Sequence, residues 1–310
     1  MNTDKTLPSF LGTPPFPSTA AWQSPHGRLL PAPGGRTLIM GIVNVTPDSF
    51  SDGGVLGSMQ AVIDRVGQMV EEGADMIDVG GESTRPQAEP LAAEVELDRV
   101  LPVIEKLRGA FPSLPISIDT YKPAVARAAI RAGADAVNDV WGCAHGLSAT
   151  ERAEGEPVRS EMAAAVAALR CPIILMHNRP NRDYRDFWED FLGDLRFSVS
   201  LAQAAGVPAG QIWLDPGFGF AKGPEQNLET LKRLERVVAL GYPVLLGTSR
   251  KSTIGLVLGA PVHDRQDGTA STLVWGVQQG CSMVRVHDVA AARRAIRMAD
   301  AIKAGLSWKP

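Results

Sequence analysis

The chain has 310 residues, 45% hydrophobic and 21% charged, with 31 Lys and Arg against 34 Asp and Glu for a formal net charge of -3. That balance excludes a disordered or fibrous polymer and offers no general basic surface to nucleic acid or an anionic membrane, so an anionic ligand has to be held by a local cluster. No apolar run approaches about 18 residues, and Cys143, Cys171 and Cys281 lie far apart without CxxC spacing, which argues against a membrane span, a disulfide frame or a zinc knuckle and for a reduced, cytoplasmic setting.

In chain order, residues 1–35 carry seven prolines and read as a partly ordered leader outside the main fold, with residues 36–310 as one domain. From Thr37 onward a short β-rich apolar run, a polar or glycine-rich break and a longer segment of helical periodicity alternate. The runs are LIMGIVNV (38–45), MIDVG (76–80), ISIDT (116–120), AVNDV (136–140), IILMH (173–177), IWLDPG (212–217), VLLGTS (244–249) and MVRVHDV (283–289). Helices are expected over 58–72, 92–108, 123–132, 160–169, 186–205, 226–240, 268–279 and 290–304. Eight strand-helix units with strands apolar on both faces predict an α/β fold, a single (β/α)8 TIM barrel preceded by a Pro-rich segment. A doubly wound open sheet uses the same alternation, but the count of eight favours closure.

Polar residues fall at or just after the strand ends: Asn44, Asp78, Asp119, Asn138, His177, Asp215, Ser249, and Arg285 with His287. In a barrel these ends converge on one face, where the active site is built. Arg250 and Lys251 in SRKS (249–252), with Arg285 and His287, suggest an anion site at the seventh and eighth strands, and Ser249 and Ser252 flank a helix start. Arg250 reads equally well as a surface cation. Arg285 interrupts an apolar strand and needs a partner, which an anionic substrate would supply.

Asp119, Asn138 and Asp215 present hydrogen-bond acceptors suited to a flat heterocycle bearing N–H and amino donors. GFGFAKG (217–223) has GxGxxxG rather than GxGxxG spacing and is a weak dinucleotide fingerprint. None of the five histidines forms HxH or HExxH, so no preformed zinc centre is expected, although Asn44 could hold Mg2+ together with phosphate oxygens. His145 and His263 fall in polar stretches and read as structural. The loop setting of Lys251 disfavours a Schiff-base role.

NVTPDSFSD (44–52), GGESTRP (80–86), SIDTYKP (117–123), VND (137–139), LMH (175–177), LDPGFGF (214–220), SRKS and RVHDV (285–289) together resemble the signatures of the dihydropteroate synthases over residues 36–305. The resemblance implies a homodimeric transferase of folate biosynthesis, a sulfonamide target, joining 6-hydroxymethyl-7,8-dihydropterin diphosphate to p-aminobenzoate. Carried over residue by residue, it implies a pterin pocket of Asp119, Asn138, Val140, Met176, Asp215, Gly247 and Lys251. The diphosphate site would be Asn44, Thr84, Arg285 and His287, with Mg2+ at Asn44. The p-aminobenzoate site would be Thr84, Arg85, Pro86, Phe220, Lys251 and Ser252, and Asp119, Lys251, Arg285 and His287 would carry catalysis. No nucleic-acid or membrane partner is implied. The loops 46–57 and 81–90 would close over the site, and Glu82 is expected to pair with a nearby cation.

A lengthened connection at 143–160, HNRP at 177–180 and DRQDGTA at 264–270 depart from the family pattern without removing an assigned residue. A pterin-binding methyltransferase barrel is the alternative enzyme, but it would not need SRKS or the STRP loop. A non-catalytic pterin-binding homologue is the alternative binding module, and intact Asn44, Asp119, Lys251 and Arg285 argue against it.

Overall fold

Strand and helix alternate in the computed structural model of the protein, which describes residues 23–45, 58–83, 89–147 and 158–309. The strands are β1 Leu38–Asn44, β2 Met76–Gly80, β3 Ile116–Asp119, β4 Ala136–Asp139, β5 Ile173–Met176, β6 Ile212–Asp215, β7 Leu245–Leu246 and β8 Met283–Val286. Between and after them lie α1 Met59–Glu72, α2 Ala93–Ala110, α3 Pro123–Ala132, α4 Glu161–Leu169, α5 Phe187–Ala204, α6 Pro224–Lys232, α7 Glu235–Val238, α8 Ser252–Leu258, α9 Gln266–Gln279 and α10 Val289–Ala304. Local chemistry sets several boundaries. Ser58, Ser160, Asp186 and Asp288 cap helix starts with side-chain acceptors, and Pro123 and Pro224 occupy first helical positions.

The strands pair in parallel in the order β6-β5-β4-β3-β2-β1-β8-β7, and a parallel bridge between Leu214 and Val244 joins the two ends. The sheet is therefore the expected closed barrel. β7 is shorter than expected, with two ladder residues. The helix expected over 226–240 is broken where Arg233 leaves the helical region at φ -121° and ψ 35°. α8 begins at Ser252, the last residue of SRKS, where a helix start is expected.

Two apolar cores result. The larger lies between the barrel and its helices, and the smaller fills the barrel with Leu38, Met40, Met76, Ala136, Ile174, Trp213, Leu245 and Met283. Successive strand residues face opposite sides, so positions two and four residues beyond this inner core point into the same lumen, nearer the carboxyl ends. Those positions are Asp78 after Met76, Asn138 and Val140 after Ala136, Met176 after Ile174, Asp215 after Trp213, Gly247 after Leu245, Arg285 and His287 after Met283, and Asn44 after Met40. One alternation thus makes both the plug and the floor of a polar chamber.

The opposite end is closed by part of the segment expected to lie outside the fold. Gln23 and Leu29 form an antiparallel bridge, and the side chain of Leu30, 5% exposed, joins the inner core. Asp135, fully buried, accepts hydrogen bonds from Ser24 Oγ (2.5 Å), Arg28 Nε (2.8 Å), Arg108 Nη2 (2.8 Å) and the Ile116 N–H (3.0 Å). The leader reading therefore does not hold for residues 23–35, and its remainder, 1–22, lies outside the described residues. Asp135→Ala leaves the Arg108 guanidinium and the Ile116 amide without this acceptor, and urea denaturation should show a loss of about 3 kcal/mol.

Candidate active site

Arg285 occupies the centre of the chamber. Its Nε donates to Asp78 Oδ2 at 2.6 Å and its Nη2 to Asp119 Oδ2 at 2.7 Å. A buried guanidinium requires compensation, and these two carboxylates supply it. This corrects the expectation that an anionic substrate is the partner of Arg285, because the protein provides that partner itself. Asp78 also accepts from Ser117 Oγ at 2.5 Å and Asn138 Nδ2 at 3.0 Å. One N–H of the Asn138 amide is committed to Asp78, which leaves its oxygen and its second N–H to offer a ligand.

Electrostatics divide the carboxylates. Burial pushes the Asp119 carboxyl up to about 7 against the opposing effect of Arg285, with Asp78 adding to the rise. Burial also raises Asp215, opposed by Lys251 and by the Gly217 amide, which donates to Asp215 Oδ1 at 2.7 Å. Burial of Arg285 is outweighed by Asp78 and Asp119, so its pKa is raised. Burial lowers Lys251 to about 8 despite Asp215. Lys251 Nζ donates to the Phe218 carbonyl and sits 4.6 Å from the Phe220 ring centroid.

Two glycines keep this floor open. A Cβ at Gly247 would lie 3.7 Å from Asp215 Oδ2 and 3.9 Å from Arg285 Cβ, occupying space between the two charged groups. At Gly217, with φ +64°, it would fall 2.0 Å from the His177 carbonyl oxygen, a position no side chain can take.

Around this centre, Val140 and Met176 are buried, Phe220 is half-buried, and Asn44 and Ser252 are exposed at the end of β1 and the start of α8. His287 Nδ1 lies 3.0 Å from Ser249 Oγ, which ties the loop after β7 to the end of β8. Arg250 is exposed, its amide donating to Thr269 Oγ1 and its carbonyl accepting from Arg265, in keeping with the surface-cation reading. Glu82 does pair with a cation, Lys122, and accepts from Tyr121 OH at 3.0 Å. Lys122 also donates to Glu96 Oε2 at 2.5 Å. Thr84, Arg85, Pro86 and the loop 46–57 lie outside the described residues, as do 148–157 of the long connection.

Sequence reading counts Asp78 among the polar strand ends but gives it no role at the site, and gives none to Ser117 or Lys222. Asp78 carried a usable signal, since it falls two residues after Met76 in the same register as the other chamber residues. Lys222 carried none, because its partners come from two separate loops.

The family model for pterin binding enzymes matches residues 40–287. A dihydropteroate synthase of Clostridium beijerinckii is 48% identical over 270 residues, 87% of this chain and 95% of the relative. Among solved structures, a dihydropteroate synthase of Clostridium difficile with pteroic acid aligns at 45% identity and TM-score 0.79, covering 87% of this chain and 98% of its own. That of Xanthomonas albilineans with 4-aminobenzoic acid aligns at 40% identity and TM-score 0.80, covering 92% and 99%.

The raised Asp119 value has a stability consequence of definite sign. The folded state keeps this proton to about 7 whereas an ordinary carboxyl releases it near 3.8, so the folded state binds more protons and stability falls as pH rises between those values. Asp119→Asn should flatten that fall, as read by urea denaturation at about pH 5 and about pH 7.5.

Proposed function

The chain belongs to the pterin binding enzymes and, within them, to the dihydropteroate synthases, and on that premise we propose that its barrel mouth joins 6-hydroxymethyl-7,8-dihydropterin diphosphate to p-aminobenzoate with release of pyrophosphate. The observation that carries this reading is the gathering of Asp119, Asn138, Asp215, Lys251 and Arg285 at one end of the barrel. Asp215 and the Asn138 oxygen accept from the N–H and amino groups of the pterin edge, while Lys251 donates to a ring acceptor and Val140 and Met176 flank the ring.

The diphosphate sits toward Asn44, Thr84, Arg285 and His287. Arg285 holds its orientation through Asp78 and Asp119, and its Nη1 hydrogen-bonds none of the described residues, which leaves that nitrogen for a phosphate oxygen. Among the described residues no three His, Cys, Asp or Glu side chains converge on a metal position. Asn44 offers one exposed amide oxygen, a donor set suited to Mg2+ that takes its other ligands from the diphosphate and water. Mg2+ bound there would neutralise part of the leaving group's charge.

Loss of diphosphate from the pterin methylene leaves a cation delocalised into the ring, and ionised Asp119 stabilises it electrostatically. The neutral aryl nitrogen then bonds to the methylene and sheds a proton, so no strong general base is required. Phe220 walls the arylamine, Thr84, Arg85 and Pro86 cover it, and Ser252 with Lys251 meets its carboxylate. A sulfonamide, which carries the same arylamine, competes for this position.

A homodimer fits the exposed apolar side chains of Trp275, Met298, Ile302, Leu306 and Trp308 on α9, α10 and the turn after it. No helix among the described residues is long and apolar enough to cross a membrane, and the three cysteines are buried and unpaired, in keeping with a reducing cytoplasmic setting.

A pyrophosphate-release assay with the pterin diphosphate, run with and without p-aminobenzoate, should show release coupled to dihydropteroate formation. Methyl transfer to a corrinoid, or binding without turnover, would instead mark the two alternatives. Arg285→Ala should lower kcat/KM by about a thousandfold. Arg85→Ala should raise the KM for p-aminobenzoate roughly tenfold, and wild-type KM and turnover would remove the loop from the site.

A further inference from the structure

Lys222 is 2% exposed and lies behind the site. Its Nζ has three partners: His177 Nδ1 at 2.8 Å, the Phe220 carbonyl at 3.1 Å and the Gly217 carbonyl at 3.2 Å. Three acceptors match the three hydrogens of an ammonium. His177 can only be an acceptor there, because burial and the nearby Lys222 push its pKa down to about 3 and its Nε2 faces Asp194 Oδ2 at 3.1 Å. The neutral ring therefore donates through Nε2 to Asp194 and accepts through Nδ1. Asp194 is held in turn by Arg179 Nε at 2.7 Å.

The two carbonyls begin and end the turn 217–220 that follows β6. From the opposite direction Lys251 donates to Phe218 O, the carbonyl between them. One buried lysine thus anchors both ends of a glycine-rich turn while a site lysine holds its middle. Burial drives the Lys222 pKa well down, and Asp215 is the first group opposing that fall. Burying a lysine amine at such a point is expensive, and a turn needing no fixed position could be held by its own backbone instead.

From this geometry we infer that Lys222 is a positioning residue for the arylamine half of the site, holding the 217–220 turn so that Phe220 and Lys251 keep their places around p-aminobenzoate. The inference rests on the reading of Phe220 and Lys251 given under Proposed function. Asp215 on the pterin side takes its backbone position from the β5–β6 ladder that pairs it with Met176, and meets the turn only through the Gly217 amide that donates to its Oδ1 at 2.7 Å. Loss of Lys222 therefore falls more heavily on the arylamine than on the pterin.

Lys222→Met keeps the length and an apolar tip over the Phe191 ring, whose centroid lies 5.0 Å from Nζ, but removes every donor. With wild-type protein forming dihydropteroate, the variant should show a KM for p-aminobenzoate raised about tenfold and, by calorimetry without p-aminobenzoate, affinity for a pterin analogue within about twofold of wild type. Unchanged kinetics, or equal losses for both substrates, overturns the inference. Should Lys222→Met not fold, Lys222→Gln restores part of the donor set and should raise the same KM about threefold with pterin affinity kept. If neither variant folds, Lys222 serves the fold as a whole and the positioning role is overturned. Wild-type protein that binds the pterin analogue yet forms no dihydropteroate overturns the parent reading instead, a result distinct from any difference between the variants and wild type.

Discussion

One guanidinium between two carboxylates organises the chamber. Burying Arg285 without compensation would cost several kcal/mol, and Asp78 and Asp119 each accept one of its N–H groups. The compensation overshoots, since two carboxylates face one cation. Burial, with Asp78 adding to it, holds the Asp119 carboxyl up to about 7 against Arg285, while Asp78 is secured by further donors from Ser117 and Asn138. The pair is thereby differentiated. Asp78 is a fixed anchor, and Asp119 is a group whose charge can answer to what enters the site.

That arrangement follows from barrel geometry. Strand alternation directs every second residue into the lumen, and the first inward layers are apolar and fill it. The next inward layer is polar on strand after strand, so the chamber floor is the top of a packed core and has little freedom to move. Leu30 closes the other end of the same column, which gives residues 23–35 a part in the core although their proline content suggests a separate leader. A rigid floor suits a reaction whose catalysis rests on positioning and on fixed charges.

A second tier supports the first from behind. Lys222, His177, Asp194 and Arg179 form a chain of alternating donors and acceptors that reaches the turn after β6, and Lys122 binds Glu82 and Glu96 below the loop after β2. The first chain ends on the turn that carries Phe220, and the second on Glu82, at the start of the loop after β2.

Much of this was legible along the chain. The eight strand positions, the polar residues at their ends and most helices follow from local periodicity, capping residues and prolines, which act within a few residues of themselves. The signature stretches identified the family for the same reason, because each is a short continuous segment. Tertiary structure alone decided who partners whom. Asp78 and Arg285 are 207 residues apart and Lys222 and His177 are 45 apart, so neither pair leaves a local pattern. Closure through Leu214 and Val244 and the reduction of β7 to two residues likewise depend on how the ends of the sheet meet. Sequence determined which chemical groups stand at the mouth of the barrel, since side-chain direction in a strand is set by residue spacing. Which of them are already neutralised, and which remain for a ligand, was decided by contacts that exist once the barrel has closed.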